Sequence, residues 1–324
     1  MQSREELIKT LQQADTPSIR LFALTRLKGF PEDHPQVAQE QSQVATQEPV
    51  ISILNEQHPD GYWMWDHSHY TPKFKATHWT MQLLMELGLS GLHPAMQAGA
   101  LYMRSRMQKS LLEQIRDNEA GFACFWGNFT KYQIHCGLVA DATVQKTISL
   151  LVREIENDAR CDWNYKLPCA WGLIRAMWGL AAISAEKRTP QVQHAIQHGL
   201  EFILERYSLV KADYPYRQKI HKSWFSLNFP LFYNTDILFT LRVLHELNAL
   251  EHPSAKQALD WLGGKQRKSG LWRGASPNRR RTWAFTAGQD TVDHWATLHA
   301  LTVFNEPFRL SNSQCYNQFY QDNG

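Results

Sequence analysis

Long apolar runs are missing from these 324 residues. The best candidate, Cys169 to Ile183, carries Arg175 in its middle and falls short of the roughly 18 uncharged residues that suggest a membrane span. The first residues, Met1-Gln-Ser-Arg-Glu-Glu-Leu, are charged and lack the apolar core of a secretory leader. Charge of one sign is not in surplus: 34 Lys and Arg against 31 Asp and Glu leave +3. That balance argues against a nucleic acid or an anionic membrane as the main partner. Cysteine is sparse and odd in number, and five scattered thiols do not form a disulfide framework. Reduced thiols in a cytoplasmic protein, with no integral membrane segment, are the expectation. No Pro/Gly/Ser-rich linker divides the chain, and no alternating strand pattern stands out. Also missing are a Gly-rich phosphate loop, a Gly-x-Ser-x-Gly elbow and a His-Glu-x-x-His pair.

Rings and helical repeats are what the chain has. It holds 12 Trp, 11 Tyr and 15 Phe with only 20% charged residues, a composition unlike that of a disordered chain. Four segments begin with a polar residue and continue with apolar residues at helical spacing; they open at His93, Asp141, Thr189 and His252. Where Pro follows the polar residue it sits at a first helical position, which needs no N–H. Before each lies a more apolar helix, at Thr77 to Leu87, Cys124 to Leu138, Cys169 to Ile183 and Thr235 to Leu247, and a fifth follows at Asp293 to Phe304. Apolar on nearly all faces, these read as buried all round. The expectation is one all-α domain of helical hairpins, stacked as an open solenoid or closed into a ring. In a ring the buried helices are parallel and their first residues share one rim.

Two loops repeat the spacing Gln-x-x-x-Gly-x-Trp, at Gln57 to Trp63 and at Gln266 to Trp272. Gly permits the sharp turn, and Gln is positioned to bond the preceding helix end and lie on the Trp ring. This pair resembles the repeat signature of the squalene cyclase, terpenoid cyclase and protein prenyltransferase superfamily, and most nearly its single-domain bacterial members, including diterpene synthases of the kolavelool synthase kind. The resemblance covers roughly residues 45 to 305. It implies an α/α toroid over 46–305, with 1–45 as an N-terminal helical extension and 306–324 as a tail. It also implies a substrate that is an isoprenoid diphosphate, supplied in some pathways by a class II diterpene cyclase. The superfamily's Asp-x-Asp-Asp and Asp-Asp-x-x-Asp motifs are absent; the nearest string is Asp290-Thr-Val-Asp293. Ala296 stands where the zinc-binding His of the protein farnesyltransferases would fall.

Four constellations are candidates for chemistry. On the rim, Cys124, Cys169 and Cys161 with His78 form a donor set suited to Zn²⁺, although buried thiols also serve simply as packing. Asp290, Asp293 and Asp236 are the candidate catalytic carboxylates, with Mg²⁺ bridging to a diphosphate as their role and helix capping as the alternative. A basic set, Lys268, Arg273, Arg279, Arg280 and Arg281, supplies donors that match phosphate oxygens, or else forms a solvated loop. Trp79, Trp126, Trp171, Phe229, Tyr233, Trp283 and Trp295 supply ring faces to border a carbocation, or fill a wide core. The leading expectation is an enzyme that ionises a prenyl or bicyclic diterpenyl diphosphate and ends the cation with water or by proton loss. Zinc–thiolate chemistry and a non-catalytic isoprenoid-binding toroid are the alternatives.

Overall fold

Polar residues set the helix starts. The side chains of His93, Asp141, Thr189 and His252 each accept a backbone N–H two or three residues ahead, satisfying donors that a first helical turn leaves open. The computed structural model describes residues 2–117, 121–206, 209–210, 221–283 and 288–304. Among them the helices are α1 (Arg4–Gln12), α2 (Pro17–Phe22, continued by a π-turn to Leu27), α3 (Pro35–Thr46), α4 (Val50–Asn55) and α5 (Thr77–Glu86). There follow α6 (Pro94–Arg116), α7 (Ala123–His135), α8 (Ala142–Glu156) and α9 (Ala170–Ala181). The last four are α10 (Pro190–Glu201), α11 (Ile237–Glu246), α12 (Pro253–Gly263) and α13 (Gln289–Val303). The chain is mainly helical, as its periodicity predicts. None of the described helices is long and apolar enough to cross a membrane.

The buried helices are neighbours in sequence order: α5 packs on α7, α7 on α9, α9 on α11, and α11 on α13. Every residue of α5 is buried, as is α9 from Ala170 to Leu180. The helices between them lie outside, α8 against α7 and α9, α12 against α11. At the start of the chain, α2 packs on α13, and Leu7, Leu11 and Ile19 are fully buried. Residues of the first 45 thus contribute side chains to the buried core. The last buried helix begins at Gln289, a turn earlier than its sequence pattern suggests, which moves Asp293 into the second turn. Residues 305–324 lie outside the described residues.

The two Gln-x-x-x-Gly-x-Trp loops are structural copies. In each, the Gln amide donates to the Gly carbonyl four residues on, at 3.1 Å in the first and 2.8 Å in the second. Each Trp indole donates to a carbonyl of the preceding helix, Ile53 or Leu262, both at 2.7 Å. Each Trp backbone N–H donates to a buried Thr hydroxyl, Thr77 or Thr297, both at 3.0 Å. Trp, rather than the expected Gln, ties the loop to the helix before it. Gly61 and Gly270 turn these loops at φ +93° and +89°.

One short pairing was not foreseen: β1 (Leu227–Asn228) runs parallel to β2 (Gly274–Ala275). Two aspartates hold it, one at the start of α11 and one in the second turn of α13. Asp236 accepts the Asn228 N–H and Asp293 accepts the Gly274 N–H, each at 2.8 Å. The chain beyond β1 then passes among the buried helices. Gln82 on α5 donates to the carbonyls of Leu231 (2.8 Å) and Phe232 (3.1 Å), Asn128 on α7 to Phe232 (2.9 Å), and Arg175 on α9 to Asn234 (2.9 Å). Phe229 stacks on Trp295 of α13 with ring centres 4.1 Å apart.

The tightest helix crossing joins α7 and α9 through glycine. A Cβ on Gly127 would lie 2.1 Å from the Arg175 carbonyl oxygen, and one on Gly179 would lie 2.7 Å from that of Gly127. Backbone faces backbone, so neither side can yield by a rotamer change. Gly127→Ala is expected to cost about 3 kcal/mol in urea unfolding, at the upper end of ordinary overpacking. A Gly137→Ala control meets no atom within 4 Å but sits at φ +81°, and it should show only its smaller backbone strain. Equal losses in both variants would refute the close crossing.

Candidate functional site

A cavity of about 680 Å³ opens where α7 and α9 begin, and its walls come from segments far apart in the chain. Tyr70 and Lys73 come from the loop before α5, and Met107 and Gln114 from α6. Cys124, Phe125 and Trp126 come from the first turn of α7, and Cys169 and Trp171 from the start of α9. Cys161 and Trp163 come from the loop between α8 and α9, and Tyr233 from the interior segment. Seven of the seventeen lining residues are Phe, Tyr or Trp, and Glu113 on α6 is among the others. The Trp126 indole is fixed by donation to Gln114 Oε1 at 2.7 Å, and Trp171 meets Tyr233 edge-on at 6.0 Å. Phe125 stacks on His78 at 4.1 Å, so one wall is backed by a second ring.

The cavity has a cationic edge. Lys73 Nζ lies 4.0 Å from the centre of the Tyr233 ring, and the Arg281 guanidinium lies 4.8 Å from that of Phe74, a neighbour of both Lys73 and Tyr233. Burial, then the nearby Arg281 charge, lowers the Lys73 ammonium from its ordinary value. Burial likewise lowers His69, helped by Arg106, and raises the Tyr70 and Tyr233 phenols. The rings therefore stay neutral at physiological pH.

The three rim thiols share the lining, and the Cys124 charge bears on Lys73, Tyr70 and Tyr233. Cys169 caps α9, its Sγ accepting the Gly172 N–H at 3.4 Å, and its own N–H donates to the Asp158 carbonyl at 3.3 Å. The Cys161 N–H donates to the Leu167 carbonyl at 3.3 Å, and the Cys161 carbonyl takes the Asn164 and Lys166 N–H groups at 2.9 Å each. The neighbouring Cys169 thiol, against the effect of burial, holds Cys161 below the ordinary thiol range. For the same reason, and through burial, Cys169 is raised. Burial, then the neighbouring Cys161 charge, pushes Cys124 up to about 11. Behind the loop, the buried Glu154 accepts the Gly121 N–H at 2.9 Å, and desolvation raises its carboxyl to about 7.

The other expected residues are placed elsewhere. His78 is fully buried behind Phe125, its Nδ1 3.3 Å from the Tyr132 hydroxyl, and burial pushes it well below its ordinary value. Among the described residues no group of three or more His, Cys, Asp or Glu is arranged to hold a metal ion. The carboxylates are already engaged. Asp236 caps α11 through the Phe239 N–H (2.7 Å) and takes both N–H and side-chain donors from Asn228 (2.8 Å each); burial raises it to about 6. Asp293 takes the Gly274 N–H, the Gln289 amide and Arg267. Asp290 is exposed on the first turn of α13. The oxygens of both are thus given to N–H donors: Asp236 caps α11, and Asp293 braces β2 from the second turn of α13.

All five residues of the basic set, Lys268, Arg273, Arg279, Arg280 and Arg281, are exposed and outside the cavity lining; Arg281 comes nearest, over the Phe74 ring and close enough for its charge to bear on Lys73 and Tyr233. Of the aromatic set, Trp126, Trp171 and Tyr233 line it. Trp79 lies one layer back with its indole on the Tyr70 carbonyl, Trp283 donates to Thr80, and Phe229 and Trp295 stack in the core. Sequence reasoning missed Tyr70, Lys73, Phe125 and Trp163. Trp163 lies between two singled-out cysteines, and Tyr70 and Lys73 flank Thr71-Pro72 just ahead of a buried helix.

Comparison of this chain with family models, with curated proteins and with solved structures gives no match.

Glu154 gives a test of the electrostatics at this wall. A carboxyl raised from 4.5 to about 7 makes the folded state bind the proton more tightly, so its contribution to stability falls as pH rises across that window. Glu154→Gln retains an acceptor for Gly121 and removes the titration. Relative to the parent chain, the variant should gain stability between pH 4.5 and 7 and level off above. Urea unfolding at pH 4.5 and 8 measures this, and an unchanged difference between the two pH values would contradict the buried proton.

Proposed function

We propose that this chain acts on an isoprenoid diphosphate, with its buried and outer helices arranged as an α/α toroid. The observation that carries the reading is one cavity with aromatic walls and a cationic edge. The hydrocarbon chain lies against Tyr70, Phe125, Trp126, Trp171 and Tyr233, whose burial drives binding at ~25 cal/mol per Å² of apolar surface. The diphosphate meets Lys73 and Arg281. The allylic C–O bond breaks and its electron pair leaves on the diphosphate, whose growing charge these two side chains oppose. Ring faces border the cation, each worth about 2 kcal/mol once water is excluded. Water addition or proton loss ends the reaction. A linear or bicyclic diphosphate fits the same chemistry, the bicyclic kind being the product of a prior class II cyclisation.

The order of packing from α5 to α13, the return of α2 to α13, and the copied Gln-x-x-x-Gly-x-Trp loops support the toroid. Zinc–thiolate chemistry has weaker support, because among the described residues no group of three or more His, Cys, Asp or Glu is arranged to hold a metal ion.

The test is diphosphate release from a panel of linear and bicyclic prenyl diphosphates, with Mg²⁺ and with chelator. Release from at least one member is expected. Lys73→Ala and Arg281→Ala should each lower kcat/KM by about tenfold to a hundredfold, the scale of a lost charge-assisted contact in the transition state. Arg279→Ala and Arg280→Ala should change it less than about threefold, because unlike Arg281 neither has a charge that bears on Lys73. Silence across the panel from folded protein, or release that survives both Lys73→Ala and Arg281→Ala, would refute the assignment.

A further inference from the structure

Lys73 stands among rings rather than beside a carboxylate. Its Nζ lies 4.0 Å from the centre of the Tyr233 ring, 5.7 Å from that of Phe74 and 5.9 Å from that of Tyr70. The side chain is half-buried and lines the cavity. Among the described residues no Asp or Glu forms an ion pair with it, and the charge that bears on it most is a cation, Arg281. The backbone holds this position firmly. The Thr71 N–H donates to the Ser68 hydroxyl at 2.9 Å, and the Pro72 carbonyl accepts the N–H groups of Lys75 and Ala76 at 3.1 and 3.0 Å. Phe74 is buried at φ +74°, a left-handed conformation costly to a residue with a β-carbon, and its carbonyl takes the Thr282 hydroxyl at 2.9 Å. An anchored turn thus places one amine among three rings at the edge of an apolar enclosure.

From this geometry we infer that Lys73 is a covalent capture site, whose amine condenses with the aldehyde of a long apolar molecule to give a protonated imine. The ammonium first releases a proton to water. The nitrogen lone pair then attacks the carbonyl carbon, a C–N bond forms, and a proton passes from nitrogen to the carbonyl oxygen. In the second step the nitrogen pair forms the C=N bond, the C–O bond breaks, and the hydroxyl takes up a proton and leaves as water. One ammonium and one aldehyde have become one iminium and one water, with the charge unchanged. No oxidant or reductant is needed.

Two surroundings make a lysine nucleophilic, an apolar enclosure and a second cation, and Lys73 has both. The iminium keeps its positive charge where the ammonium stood, over the Tyr233 ring face. The lining selects the rest of the molecule: Phe125, Trp126 and Trp171 reward an apolar body and offer little to a sugar-like one. Lys75 is the internal comparison. Its Nζ lies 5.5 Å from the centre of the Trp283 ring, outside the cavity lining.

The full chain is incubated at neutral pH with farnesal and sodium cyanoborohydride, then digested and mapped by peptide mass spectrometry. Reduction of the iminium leaves a stable secondary amine. An adduct on Lys73 is expected, formed at least about tenfold faster than on Lys75 or any exposed lysine. Lys73→Arg keeps the cation but has no amine to condense, and it should abolish the adduct while the urea midpoint stays near that of the parent chain. Arg281→Gln removes the neighbouring cation and should slow the adduct about twofold to tenfold. Lys75→Arg should leave it unchanged. The inference is overturned if Lys73 reacts no faster than exposed lysines, if Lys75 reacts first, or if glyceraldehyde labels Lys73 as fast as farnesal does. No diphosphate enters the mixture, so the inference stands or falls apart from the proposed activity.

Discussion

Four backbone carbonyl bonds in the middle of the molecule set the terms for the rest of the structure. Beyond β1 the chain leaves regular structure and passes between buried helices, and there its peptide groups have neither water nor a ladder to bond. Gln82, Asn128 and Arg175 answer this need from three different helices, all donating to Leu231, Phe232 or Asn234. These side chains are themselves fully buried, so each would be costly without the segment it holds. Segment and helices are thus mutually required. The ring stack of Phe229 on Trp295 adds an apolar anchor on the side facing α13.

Filling the middle in this way moves the available space outward. The centre holds protein and charge: Glu86 on α5 pairs with Arg242 on α11 at 3.0 and 3.1 Å, and Arg26 and Arg175 are close enough to bear on the same carboxylate. Burial alone would raise the Glu86 carboxyl, but Arg242 and its companions hold it below the ordinary value. Burial lowers Arg175 to about 9, with Glu86 opposing. A core of this kind is weak evidence of extra stability, because a buried pair returns little more than its desolvation cost. Its consequence is geometric. The open volume that remains lies toward the start of the buried helices, between α7, α9 and the loops that lead into them.

That division explains how much was legible in the chain. Helix starts could be read because capping is local: His93, Asp141, Thr189 and His252 need only the next few residues. The meeting of Cys124, Cys161 and Cys169 could also be read, because it follows from where buried helices begin. The roles of Asp236 and Asp293 could not, since the donors that occupy them come from β1 and β2, two-residue strands with no pattern of their own. Nor could the loss of Phe229 and Trp295 to the core, which depends on the path of a segment that no periodicity describes. Lys73 was passed over for a similar reason: it becomes a cavity residue only when Tyr233 arrives beneath its ammonium.

The cavity that results combines rings, one half-buried ammonium and a few polar side chains. Lys73 lies over the Tyr233 ring at one edge, and Glu113, Cys124, Cys161 and Cys169 share the lining with the aromatic residues. Burial and then the Arg281 charge lower the Lys73 ammonium, and the Cys124 thiol opposes them. A cation held at that cost gains more from an anionic partner than a solvated lysine does, because pairing returns part of the hydration it has already lost. The enclosure that makes the charge costly is therefore also what makes an anion welcome at this edge, and the ring faces behind it favour an anion that carries an apolar body.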